Sequence, residues 1–148
     1  GLLYSTINQV PKKSNTLCIL GNGPSLVDSC ETFKRFIELN EVMAVNHFCV
    51  SGLYEKIKPS CYCFADPFFF TSNHEGNEHE KYNRFIDAFF KKTDWEMNVI
   101  VPDFGIESFF YKKLRENSLF KIFVYNTKDF STNKENLFDQ YNSASSQK

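Results

Sequence analysis

The chain has 148 residues, 42% of them apolar, with 17 Phe, 7 Tyr and a formal net charge of −1. That length fits one domain with its own core, and the composition makes that core aromatic. The near-neutral balance excludes a broad electrostatic footprint for nucleic acid or anionic lipid, and no apolar run approaches the roughly 18 residues that a membrane helix needs.

The opening "GLLYSTINQVPKKSN" is mixed and polar, unlike a secretory signal, and its bare Gly1 reads as a cut or tagged start. A first strand is expected at 17–20, followed by the turn Gly-Asn-Gly-Pro-Ser. Cys30, Phe33, Phe36 and Ile37 then follow helical spacing, with Asn40 as a stop. A second strand fits 42–45, and a short helix fits 50–57, closed by Lys58-Pro59 because a residue before proline resists the helical region. A third strand fits 61–65. The polar stretch "TSNHEGN" at 71–77 reads as a loop. The clearest helix covers 78–92: Tyr82, Phe85, Ile86, Phe89 and Phe90 form one stripe, while Glu80, Lys81, Arg84, Asp87 and Lys91 keep the other face wet. A strand at 99–101, a helix at 106–116 and a strand at 122–125 complete the pattern. Residues 131–148 are polar, apart from Leu137 and Phe138, and read as a tail, a linker or a last helix.

Short apolar runs alternating with helices imply an α/β fold. The expectation is a Rossmann-like, doubly wound, mostly parallel sheet of about five strands with helices on both faces. Residues 1–130 would form that domain, and 131–148 would lie outside it. The five cysteines form no C-x-x-C pair. Cys61 and Cys63, two apart in a strand, share a face, so they are read with the others as reduced, largely buried thiols of a cytosolic protein.

Three motifs fall just past expected strands, at the edge where such sheets bind ligands. "LCILGNGPSLVDS" places Gly21, Asn22, Gly23, Pro24 and Ser25 between strand and helix. Two readings stand. Gly21 and Gly23 let backbone approach a phosphate, or the stretch is a capped turn with Pro24 at a first helical position and Ser25 with Asp28 as a capping pair. The motif is neither a dinucleotide fingerprint nor a Walker loop. "MAVNHFC" places Asn46 and His47 past the second strand, where the amide would bond a ribose or base edge, or simply shape a turn. "CYCFADPFFF" ends the third strand at Asp66-Pro67. Its three consecutive phenylalanines are read as core, with a ligand wall or a docking surface as alternatives. His74 and His79, five apart, do not converge as a zinc pair.

In this order and spacing, "ILGNGPSL", "AVNHF" and "CFADPFFF" resemble the amino-terminal half of bacterial sialyltransferases that build lipooligosaccharide. The match covers residues 17–70 well and 98–125 by pattern only. Pterin pyrophosphokinase-like proteins share a similar turn. The resemblance implies a glycosyltransferase that takes a nucleotide-activated sugar, CMP-sugar first, to a surface glycan acceptor. It needs no cofactor and works in the cytoplasm or at the inner membrane face, with peripheral membrane association or a homo-oligomer in the full protein. Asn22, Gly23 and Ser25 would cradle the phosphate, Asn46 would reach the ribose or cytidine, and Asp66-Pro67 would lie by the donor sugar. Asp66 departs from the small or hydroxyl residue usual there. The family's base histidine and its phosphate-binding tyrosines lie in a carboxyl-terminal half, and His47, His74 and His79 do not match that base. The chain is therefore expected to be the donor-binding half of a longer enzyme, its catalytic residues unassigned. The pyrophosphokinase alternative would hold ATP and Mg²⁺, with Asp66 on the metal. A non-catalytic nucleotide-binding or interaction module is the third alternative.

Overall fold

The computed structural model describes residues 5–6, 9–11, 14–21, 23 and 32–128. Six strands are described: β1 (Ser5–Thr6), β2 (Leu17–Leu20), β3 (Glu41–Val45), β4 (Cys61–Cys63), β5 (Met97–Pro102) and β6 (Phe120–Tyr125). All pair in parallel, in the order β1-β6-β5-β4-β3-β2. The expected α/β, Rossmann-like parallel sheet is therefore present, with six strands in place of about five. The strand that sequence reading missed, β1, is two polar residues with no apolar pattern to reveal it.

Four described helices connect the strands: α1 (Lys34–Leu39), α2 (Tyr54–Ile57), α3 (Asn77–Lys92) and α4 (Phe109–Glu116). From β2 to β6 the chain steps across the sheet in one direction, and right-handed crossovers then deposit the four described helices on one face, where helices on both faces were expected. Accordingly Ile37, Tyr54, Phe85, Phe89, Phe110 and Leu114 all join one cluster. The β1-to-β2 connection runs the opposite way, so the same rule carries it over the other face. Val10 packs there on Cys61, Ile100 and Phe123. Alternation along β4 sends Cys61 and Cys63 to that second face and Tyr62 to the first, as the two-residue spacing requires.

The large cluster is an aromatic lattice. Phe64 stacks on Tyr62 with centroids 4.3 Å apart and meets Phe69, Phe85, Phe89 and Phe110 edge-on at 4.9 to 5.5 Å. Edge-to-face pairs of this kind add about 0.5–1.5 kcal/mol each beyond their buried area. Of the three consecutive phenylalanines, Phe69 is fully buried and Phe68 and Phe70 are half-buried, so this run is core and not an exposed docking surface. Cys49 and Cys61 are buried, Cys18 and Cys63 half-buried, and none of the four is in a disulfide.

Local signals explain the boundaries. Lys58 closes α2 in the left-handed region (φ 49°) just before Pro59. Helix α3 carries Glu78 and Glu80 in its first turn and Lys91 and Lys92 in its last, matching the helix dipole. Helix α4 begins three residues later than spacing suggests, because the Ser108 hydroxyl accepts from the Tyr111 N–H at 3.1 Å and caps it there. The expected strand at 61–65 stops at Cys63. Phe64 N–H still reaches the Ile100 carbonyl at 2.9 Å, but the next two N–H groups turn to the Asn46 side chain. No helix among the described residues is long and apolar enough to cross a membrane. Asn22, Pro24, Ser25, Cys30 and the tail 131–148 lie outside the described residues.

Candidate functional site

Because every strand runs the same way, all carboxyl ends share one edge. Gly21 and Gly23 follow β2, Asn46 and His47 follow β3, and Asp66 and Pro67 follow β4, on three adjacent strands. A Cβ added to Gly21 or Gly23 would meet nothing within 4 Å, so neither glycine is demanded by crowding.

Asn46 builds the edge. It opens a 3-10 turn over Asn46–Val50 and takes φ 49°, a left-handed value that asparagine tolerates better than most residues. Its Oδ1 accepts from Ala65 N–H at 3.0 Å and Asp66 N–H at 3.3 Å, tying the end of β3 to the loop after β4. Tyr62 secures the same turn from below: its hydroxyl donates to the Asn46 carbonyl and accepts from Cys49 N–H at 2.8 Å. Asn46 was expected to touch ligand or shape a turn. The structure gives its side-chain Oδ1 to the loop after β4 and leaves the amide NH₂ with no partner among the described residues.

Asp66 likewise spends one oxygen on backbone. Its Oδ1 accepts from Phe68 N–H at 2.9 Å and caps the 3-10 turn Pro67–Phe70, with Pro67 at the first position. His47 lies against Phe68, Phe69 and Phe85, with ring centroids 4.8 to 6.1 Å away. Its Nε2 is buried and meets no hydrogen-bonding partner. Burial first, and the Lys81 ammonium second, hold the imidazole below its ordinary value of 6.5, while Asp66 pulls the other way.

Of the candidates, Asn46 and His47 open onto a cleft of about 340 Å³ that Val45, Val50, Lys81 and Arg84 also line, while Gly21, Gly23, Asp66 and Pro67 are not among its lining residues. Lys81 and Arg84 are the functional candidates that sequence reading missed. They sit three apart on α3, hence on one helix face, and that helix packs against the Asn46–Val50 turn. The only ion pair among the described residues is Lys58–Asp94 at 3.3 Å, so neither cation has a described carboxylate partner. The sequence signal existed as an i, i+3 basic pair, but it reads as a solvated face until the turn is seen beside it.

Two positively charged side chains, an amide NH₂ and a neutral imidazole thus converge on one concave site at the carboxyl edge. That set can hold an anion through charge-assisted hydrogen bonds, with the imidazole able to take a proton. Further along the edge, Asp103 after β5 accepts from the Thr127 hydroxyl after β6 at 2.9 Å, a link between strand ends that sequence reading also missed. Among the described residues no three His, Cys, Asp or Glu are grouped to hold a metal ion. His74 is bonded through Nε2 to the Phe68 carbonyl at 2.7 Å and stacks on Tyr82, while His79 pairs with Asn83 at 3.2 Å. Compared with known proteins, the chain matches no family model, no curated protein and no solved structure.

Proposed function

We propose that this chain binds a nucleotide-activated sugar, CMP-sugar first, as the donor-binding half of a sialyltransferase-like glycosyltransferase acting on surface glycans. The observation that carries the reading is that the Lys81–Arg84 pair lines one cleft with Asn46 and the half-buried His47. In such a transfer the bond from the anomeric carbon to the phosphate oxygen breaks as an acceptor hydroxyl attacks. Negative charge grows on the departing phosphate, and positively charged donors fixed beside it stabilise that charge. The acceptor proton passes to a general base outside the residues assigned here. Gly21, Asn22, Gly23, Pro24 and Ser25 would form the second wall, and Asp66-Pro67 the floor toward the sugar. The same reading puts the full enzyme in the cytoplasm, against the inner membrane face.

Calorimetric titration with CMP, CDP and ATP, each with and without Mg²⁺, separates the readings. Metal-independent binding of CMP and CDP is expected. Binding of ATP alone, and only with Mg²⁺, would replace this reading with the pyrophosphokinase one. No binding of any nucleotide would leave a non-catalytic interaction module.

A further inference from the structure

We propose that the β2 edge of the sheet is a self-association surface, on which a second copy of this chain adds its own β2 to form one continuous sheet across a twofold axis. The large apolar side chains that remain exposed are concentrated there. Of the eight among the described residues, five belong to β2 and the segment that includes α1: Leu17, Ile19, Phe33, Phe36 and Leu39, between 43% and 72% exposed.

Their placement says what kind of partner fits. Leu17 and Ile19 share the face of Met43, while Cys18 and Leu20 share that of Val42 and Ala44. Helix α1 covers the latter face through Ile37. Lys34 and Glu38 line a cavity with Leu53 and Ile57 from the neighbouring connection. Successive helical residues turn by about 100°, so Phe36 lies on the flank turned away from that cavity, beyond the last strand, with Phe33 between it and the buried Ile37, while Leu39 falls on the outer face of the helix. Apolar residues therefore overhang the edge on both faces of the sheet. A strand buried inside a parallel α/β sheet looks like this, and a sheet edge built to stay solvated does not. A partner docking on one face would leave the other side wet, whereas a partner that continues the sheet covers both.

A second copy satisfies every part of this requirement. It brings an identical strand whose outer edge has no partner among the described residues, and two β2 strands related by a twofold axis pair antiparallel. It brings an identical α1 flank to pack on the first face and an identical Leu17–Ile19 pair on the second. Leu17, Ile19, Phe33 and Phe36 together expose roughly 400 Å² of largely apolar surface per protomer. A standard interface buries about 800 Å² per partner, somewhat more than half of it apolar, so the patch matches one protomer's share. Because the same patch serves both copies, the assembly closes at two.

Sedimentation equilibrium of the 148-residue chain tests the proposal, alongside the Ile19→Lys and Phe36→Lys variants and Phe109→Lys as a control at an exposed apolar site on α4. The wild type and the control are expected to be dimers. Each edge variant is expected to dissociate at least about tenfold more readily, with an unchanged circular dichroism spectrum. A wild type that stays monomeric, one that forms open-ended larger assemblies, edge variants that remain dimeric, or a control that dissociates equally would each overturn it.

Discussion

Asn46 and Tyr62 show how one turn is held at the ligand edge by groups that the sequence advertises only in part. The buried Tyr62 hydroxyl serves both the Asn46 carbonyl and the Cys49 N–H. Tyr62→Phe keeps the ring stack on Phe64 but strands both backbone groups, so urea unfolding should record a loss of about 1–3 kcal/mol. An unchanged midpoint would show that the turn holds without the phenol. His47 supplies a pH test. In the unfolded chain its imidazole takes up a proton near the ordinary 6.5, and in the folded protein only at lower pH. Its contribution is therefore fully present above about 6.5 and is lost as the pH falls through the folded value. The groups facing it are Lys81, Arg84 and Asp66. Urea unfolding at pH 7.5 and 5.5 should show the wild type losing more stability in acid than His47→Gln, and equal losses would contradict this. The positions of Asn46, His47 and Asp66 at strand ends were legible from the alternation of apolar runs and turns. Their partners were not. A hydrogen bond from Ala65 to Asn46 spans 19 residues and follows from the packing of two parallel strands, which no local pattern encodes.

Among the elements, α3 was the most legible, because sixteen residues give an apolar stripe room to repeat. The strands were found by their apolar runs but not bounded by them. β4 ends where a side chain replaces the ladder, and β1 has no apolar signal. The turn Asp103–Gly105 was also invisible, although it fixes one side of the edge. A Cβ on Gly105 would lie 2.5 Å from the Phe70 ring, so the glycine lets the loop after β5 close on the loop after β4. Gly105→Ala must push that ring away, and overpacking of this kind costs typically about 1–3 kcal/mol. Thermal unfolding should show a lower midpoint for Gly105→Ala. A midpoint equal to that of the wild type would mean the ring moves aside freely.

For the whole molecule, the alternation of strands and helices was enough to name a parallel α/β sheet, and from the sheet followed the edge that gathers candidate residues. Strand order was not legible. Equal runs of apolar residues do not say which neighbour each strand takes, and so do not say that β2 ends the sheet with apolar side chains on both of its faces. The basic half of the candidate site was hidden for the same reason. Lys81 and Arg84 look like solvent-facing charges on a helix until α3 is laid beside Asn46 and His47.

The claim that this cleft holds a nucleotide phosphate stands on those two cations. Hydrogen bonds to charged groups contribute about 1.5–3 kcal/mol each, so losing both should weaken CMP binding at least about tenfold. The most direct measurement is calorimetric titration of CMP into the wild type and into the Lys81→Ala/Arg84→Ala variant at equal ionic strength. The account predicts measurable binding by the wild type, that loss in the variant, and the same thermal midpoint for both unliganded proteins. Equal affinity in the two proteins, or no binding to the wild type, would contradict it.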